Sequence, residues 1–234
     1  MSSSNLLDSA FKSIALEIAA KYIHKDCILG LGSGSTVSTF ARALGEVNAK
    51  SSLNLRVVPS SMQAWFLARE NGMPLHEDTA RCPERIDVAV DGADQISVTN
   101  RSMVKGGGGA LFREKIILSS ASRSIILADE RKFVTVLNRA VPVEVAQFAL
   151  PSVESKIRAQ LNATPVLRKL DKGYPFFTEN GNIILDCQFQ EPISDPRSME
   201  AALKLIPGVI EAGVFNVKVD HFYKANQDGS FESL

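Results

Sequence analysis

The residues best suited to chemistry sit in three glycine-rich or acidic segments and on one glutamate. Gly30-Leu31-Gly32-Ser33-Gly34-Ser35-Thr36 follows a short apolar run, Cys27-Ile28-Leu29, and precedes Val37, Phe40, Ala41 and Leu44 at helical spacing. A glycine loop that joins a strand to a helix start offers successive backbone N–H groups to an anion, and the helix dipole strengthens the pull. Ser33, Ser35 and Thr36 add hydroxyl donors, and Gly34 lets a ligand approach the backbone. Ser35 stands where a G-x-G-x-x-G loop has its third glycine, and the chain contains no Gly-Lys pair, so neither nucleotide motif is present. The loop suits a simple phosphate; the alternative is a tight turn with Ser and Thr as helix caps.

Asp91-Gly92-Ala93-Asp94 ends an apolar strand. Two carboxylates at i and i+3 around a glycine can hold sugar hydroxyls or pass protons. They can equally form a turn with an Asp cap. No His lies nearby, and a hard-metal site wants more carboxylates, so no metal is expected. Lys105-Gly106-Gly107-Gly108-Gly109-Ala110 concentrates backbone entropy cost in four glycines. The cost makes sense where the backbone must pass close to a ligand, and Lys105 adds a full positive charge, so the cluster can stabilise an oxyanion or bind phosphate. The competing reading is a flexible surface loop. Glu114 follows near a helix start, where a glutamate commonly just complements the dipole. Beside a lysine, four glycines and an aspartate pair it becomes a candidate base. Lys132 follows the next strand and Asp129, and alone reads as a solvated charge. His24, His76 and His221 are scattered and read as structural or solvated.

Positioning these segments requires a chain that can bury a core. The 234 residues are 45% hydrophobic and 22% charged, with 26 basic and 26 acidic side chains. Those values are ordinary for a globular α/β protein, and the zero net charge advertises neither nucleic acid nor disorder. Cys27, Cys82 and Cys187 are odd in number and widely spaced, which fits free, mostly buried thiols in a reducing compartment. The N-terminal stretch carries Asp8, Lys12 and Glu17 without a basic n-region, and no apolar run reaches the roughly 18 residues of a membrane span. A soluble, cytoplasmic protein without membrane or nucleic-acid partners is expected.

Phe11, Ile14, Ala15, Ile18 and Tyr22 lie on one helical face. Strands are expected at Cys27–Leu29, Leu55–Val58, Ile86–Val90 and Ile125–Ala128, and helices at Met62–Asn71 and Ala110–Ser120. Such alternation predicts a mostly parallel sheet covered on both faces, with ligands at the carboxyl ends of the strands. The rhythm then changes: strand Val141–Val145, helix Ser152–Leu161, strands Val166–Leu170 and Ile183–Phe189 around an Asn180-Gly181 turn, helix Ser198–Ile206, strand Val209–Ala212. That β-α-β-β-α-β order predicts a ferredoxin-like unit. Phe215–Phe222 alternates and is expected to return to the first sheet.

Taken in order, Gly30–Thr36, Asp91–Asp94, Lys105–Gly108 and Arg113-Glu114-Lys115 resemble the ribose-5-phosphate isomerase A family. Pro142-Val143-Glu144-Val145, Asn180-Gly181-Asn182 and Ile206-Pro207-Gly208-Val209 extend the resemblance over nearly the whole chain. It implies a Rossmann-like domain over residues 1–132 and 215–234, with a ferredoxin-like α+β domain over residues 133–214. It also implies interconversion of ribose 5-phosphate and ribulose 5-phosphate in the pentose phosphate pathway, no metal or cofactor, and a homodimer or homotetramer. Ser33, Gly34, Ser35, Thr36, Asp91, Gly92, Ala93, Asp94, Lys105, Gly106, Gly107, Gly108 and Lys132 would contact substrate. Glu114 would accept the proton, with Lys105, Asp91 and Asp94 assisting. Ser33 replaces a frequent Thr, Gln95 a frequent Glu and Gly109 a frequent Ala, and the segment between Asp94 and Lys105 is one residue longer than in some relatives. A sugar-phosphate sensor of the same fold would carry an added helix-turn-helix, for which no basic segment precedes the first helix. A CoA-transferase-like enzyme would need a larger chain or a second subunit.

Overall fold

The computed structural model describes residues 3–234. In chain order the first elements are α1 (Ser3–Tyr22), β1 (Ile28–Leu31), α2 (Ser35–Ser51), β2 (Arg56–Pro59), α3 (Met62–Glu70), β3 (Ile86–Gly92), β4 (Gln95–Ser97), β5 (Met103–Val104), α4 (Leu111–Ser120) and β6 (Ala121–Asp129). They are followed by β7 (Phe133–Val134), β8 (Val141–Val145), α5 (Leu150–Leu161), β9 (Ala163–Leu167), β10 (Ile183–Phe189), α6 (Pro196–Lys204), β11 (Val209–Ala212), β12 (Val214–Phe215), β13 (His221–Ala225) and β14 (Phe231–Ser233).

The chain divides into two compact units. The first comprises the chain up to Gly92, Arg113–Lys132 and Lys218–Leu234. Its sheet runs β14-β13-β6-β3-β1-β2, parallel except for β14 at one edge. The central strands are buried on both faces, which is why they read as apolar runs without alternation. Phe11, Ile14, Ala15 and Ile18 of α1 join Phe40 and Leu44 of α2 and the strand residues Leu29, Leu31, Val57, Val90, Ile125 and Leu127 in one core; Tyr22 packs at its edge. The registers Leu31↔Val90 and Gly92↔Leu127 set the carboxyl ends of β1, β3 and β6 side by side.

The second unit comprises Ala93–Phe112 and Phe133–Val217. Its larger sheet runs β11-β8-β10-β9, all antiparallel, with α5 and α6 as crossovers: the ferredoxin-like arrangement. A sheet of short strands, β12-β5-β4-β7, completes it. Residues 93–112, which the sequence reading groups with the larger domain, therefore pack in this unit through β4 and β5.

Several boundaries differ from the sequence reading. β3 runs on through Asp91 and Gly92, and β6 begins at Ala121 rather than Ile125. β9 is displaced toward the N-terminus because its buried residues are Ala163 and Pro165, while Val166 and Leu170 are exposed. Of the segment expected to return to the first sheet, only the part from His221 does so, pairing with β6. Phe215 pairs with Met103 instead. Asn180-Gly181 is a tight turn: Gly181 has φ 77°, and its N–H donates to the Thr178 carbonyl at 2.9 Å. Among the described residues no helix is long and apolar enough to cross a membrane.

Candidate active site

In the first unit the glycine loop leaves β1 at Leu31 and enters α2 through Gly34, whose φ of 95° favours glycine. The Gly34 N–H donates to the Gln63 side chain at 3.0 Å. Gly32 has a different reason: a Cβ there would lie 1.9 Å from Asp91 Oδ1, so the Asp91 carboxylate packs directly on the loop. Asp91 is buried, and Oδ1 accepts the Gly92 N–H at 2.7 Å. Glu114 sits in the first turn of α4 with 4% exposure. Its Oε1 accepts the Ser33 hydroxyl at 2.6 Å, a short bond of the charge-assisted kind. Ser35 is exposed and Thr36 half-buried at the start of α2. Lys132 is half-buried at the end of the short 3-10 turn that follows β6.

In the second unit Asp94 is half-buried, and its Oδ2 accepts the Gly107 N–H at 2.8 Å. Lys105 is 3% exposed; its backbone N–H donates to the Gly213 carbonyl at 2.9 Å, and its ammonium lies 5.5 Å from the centroid of the Phe215 ring. Gly106 and Gly109 take φ of 100° and 83°, whereas Gly107 and Gly108 are the exposed crest of the loop. The structure thus joins Ser33 to Glu114, Asp91 to Gly32 and Gly92, and Asp94 to Gly107. Asp91 and Asp94, three residues apart, fall in different units. Chemically, the first unit offers a buried carboxylate held in one orientation by a hydroxyl, and the second a buried lysine leading into backbone amides.

Two partners are invisible in the sequence pattern. Ser33 and Glu114 are 81 residues apart, and nothing local links them. Arg168, just past β9, donates to the carbonyls of Gly106 and Gly107. The one available signal is its opposite charge to Asp186 across the hairpin, where both Arg168 nitrogens Nε and Nη2 donate to that carboxylate.

The positions that set this sequence apart within the resemblance have local explanations. Ser33 keeps the hydroxyl that reaches Glu114. Gln95 donates to the Asn138 side chain at 2.7 Å, which a glutamate carboxylate cannot do, and accepts the Asn138 N–H at 2.9 Å. At Gly109 a Cβ would lie 2.4 Å from the Phe176 ring.

Other titratable groups serve the fold. Burial pushes the Cys27 thiol up to about 11 and Cys187 up to about 12, as expected of inert core thiols. His221 stacks on Tyr22, and burial, followed by the Arg123 charge, lowers its pKa. Ligand atoms of His24, Cys27 and Asp87 lie within 4.8 Å of one another. Asp87 already accepts the Ile28 N–H at 2.9 Å and pairs with Arg85 at 2.7 Å, so a cation there would have to displace that guanidinium.

Comparison with known proteins shows the family. The sequence profile of the family described as Ribose 5-phosphate isomerase A (phosphoriboisomerase A) matches residues 56–229. The chain is 41% identical over 228 residues to ribose-5-phosphate isomerase A of Methanosarcina acetivorans, covering 97% of this chain and 95% of that one. The Pyrococcus abyssi enzyme is 43% identical over 208 residues, 87% of this chain and 89% of its own. Among solved structures, ribose 5-phosphate isomerase A from Methanocaldococcus jannaschii superposes with a TM-score of 0.87 at 32% identity, covering 100% and 99% of the two chains. A D-ribose-5-phosphate isomerase in complex with phospho-erythronic acid gives 0.86 at 38% identity, covering 96% and 97%.

Proposed function

The chain belongs to the ribose-5-phosphate isomerase A family and interconverts ribose 5-phosphate and ribulose 5-phosphate in the pentose phosphate pathway, and from that premise we propose that Glu114 carries the proton. The observation that carries the reading is the Glu114 carboxylate, buried and oriented by Ser33 at 2.6 Å. In the open-chain aldose, Glu114 takes the proton from C2, and the electron pair moves onto the C1 carbonyl oxygen to give a cis-enediolate. The hydroxyl proton of the C2 oxygen passes to the C1 oxygen, the same carboxylate returns its own proton to C1, and the C2 oxygen becomes the ketone. No atom is gained or lost.

Lys105 and the amides of Gly106 and Gly108 are the donors for the enediolate oxygen, where fixed dipoles act without reorganising, while the Gly107 amide holds Asp94. Gly34, Ser35, Thr36 and the Ser33 backbone hold the phosphate, with Lys132 as a further cation. The relative's ligand, phospho-erythronic acid, combines a phosphate with an acid group, the two anionic features this reading requires. Asp94, with Gly92 and Ala93, orients sugar hydroxyls and assists ring opening. Asp91, buried against Gly32, shapes the loop as well as lining it. Cytoplasmic location is supported by three free cysteines, of which Cys82 is exposed. A homodimer or homotetramer rests on the family resemblance alone.

The first test is direct conversion of ribose 5-phosphate by the purified chain, with unphosphorylated ribose as a very poor substrate. Comparable kcat/KM for the two sugars would remove the phosphate assignment of the Gly30–Thr36 loop. Ser33→Ala refines it. A hydrogen bond to a charged group contributes roughly 1.5–3 kcal/mol. Since the Ser33 hydroxyl proton is spent on Glu114, the loss should appear as a kcat reduced about 10–100-fold with KM little changed. A rise in KM alone would assign that hydroxyl to the phosphate instead.

Chelation should leave turnover intact. None of the proposed site residues is a His or Cys, and Asp91 and Asp94 each accept a backbone amide. Activity lost to EDTA and restored by Mg²⁺ or Mn²⁺ would contradict the proton-transfer mechanism as written.

A further inference from the structure

We propose that Arg168 is a positioning residue for the isomerisation: it orients the Gly106–Gly107 and Gly107–Gly108 peptides so that the Gly107 N–H holds the Asp94 carboxylate and the Gly108 N–H is turned to the same side, toward an anionic oxygen. The inference rests on the isomerase reading and deepens it. Everything it uses lies in the second unit.

A trans peptide is planar, and its N–H points opposite to its C=O. No peptide bond among the described residues is cis. Nη1 of Arg168 donates to the Gly106 carbonyl and to the Gly107 carbonyl, both at 3.0 Å. The N–H groups of Gly107 and Gly108 must therefore both point away from Arg168. One of them confirms the geometry directly, since the Gly107 N–H reaches Asp94 Oδ2 at 2.8 Å. Two successive amides turned to one side form an anion-binding concavity, in which Gly107 holds the Asp94 carboxylate and Gly108 supplies the second amide. The guanidinium on the carbonyl side also polarises both peptides, which strengthens their N–H groups as donors.

The orienting group is itself held rigidly. The Arg168 backbone N–H donates to the Ile184 carbonyl at 2.8 Å. Nε donates to Asp186 Oδ2 at 2.9 Å and Nη2 to Asp186 Oδ1, a forked pair that leaves Nη1 for the loop. Asp186 stands opposite Val166 in the β9–β10 pairing, so the clamp is referenced to two strands rather than to a loop. The guanidinium carbon lies 5.9 Å from the centroid of the Phe176 ring, and that ring fills the space a Cβ at Gly109 would need. The glycine loop is thus fixed on its carbonyl side by Arg168 and at its far end by Phe176. Lysine could not replace Arg168, because one ammonium cannot make the forked pair and bridge two carbonyls in the same fixed plane.

The test uses Arg168→Ala and Arg168→Lys in the full chain, with Asp186→Asn as a milder second site. Misaligning donors whose outright loss costs about 10²–10³ in kcat should lower kcat about 10–100-fold, with KM changed less than about threefold. In Arg168→Ala, added guanidinium or methylguanidinium should restore part of kcat, with no effect on wild type. In protein labelled with ¹⁵N-glycine, the Gly107 and Gly108 amide resonances should shift in the variant and move back on rescue. Asp186→Asn should show the same kcat effect, smaller. If Arg168→Ala does not fold, Arg168→Lys and Asp186→Asn decide the matter by the same kcat and KM split. Normal kcat in folded variants, or a defect confined to KM and deaf to guanidinium, would overturn the proposal. Failure of the underlying reading looks different: it appears in Glu114→Gln, with Arg168 intact.

Discussion

Glu114→Gln should bind ribose 5-phosphate with wild-type affinity and turn it over about 10²–10⁴-fold more slowly. The change replaces one carboxylate oxygen by an amide nitrogen and leaves the other oxygen to accept the Ser33 hydroxyl. Shape and packing in the first turn of α4 are therefore preserved, which Glu114→Ala would not achieve at a buried position. What is lost is the capacity to take a proton from carbon. General-base catalysis of this size corresponds to roughly 3–5 kcal/mol of barrier. Calorimetric titration with ribose 5-phosphate separates binding from turnover. Weakened binding with proportionate loss of turnover would make Glu114 an anchor and return the base to Asp91 or Asp94.

Lys105→Ala should lower kcat by about 10²–10³ while weakening binding far less, the signature of a donor used mainly in the transition state. The side chain is nearly fully buried, so its ammonium is not a solvated surface charge. Its neighbour Phe215 offers a ring face at 5.5 Å, an interaction of about 0.5–2 kcal/mol whose loss will register in thermal melting. The backbone bond from Lys105 to Gly213 survives truncation, so the entry into the glycine loop keeps its register. Stability and kcat can thus be read apart. If KM alone rises, Lys105 anchors the phosphate or the sugar, and the oxyanion role is wrong.

The fold was legible where the chain repeats a period. The α1 face, the apolar strands of the parallel sheet and the β-α-β-β-α-β order all follow from spacing, because each long element buries a continuous face. The short strands β4, β5, β7 and β12 were not legible, since two or three residues carry no period. The placement of Phe215 shows the consequence: alternation through 215–222 pointed to one sheet, but a two-residue pairing with β5 claims its first residue. β9 shifted because its outward residue Val166, and Leu170 beyond its end, are exposed yet apolar, so hydrophobicity did not mark its buried side.

For the candidate site, the glycine and aspartate motifs announce themselves by composition, since few other roles justify four successive glycines. What composition cannot announce is which side chain meets which. The Ser33–Glu114 bond spans 81 residues, and the Arg168 contact to Gly106 spans 62. Both link a motif to a residue that, read alone, is an ordinary cap or a surface charge. Ser33, read from sequence as a phosphate donor, directs its hydroxyl to the Glu114 carboxylate in the structure.

The most direct measurement of the central claim is proton NMR of ribose 5-phosphate in D₂O with wild type and Glu114→Gln. If one carboxylate removes and returns the proton, wild type should exchange the C2 hydrogen with solvent as it isomerises. The variant should lose exchange and turnover in parallel, by about 10²–10⁴, while still binding substrate. Exchange and turnover near wild-type rates in Glu114→Gln would contradict the account.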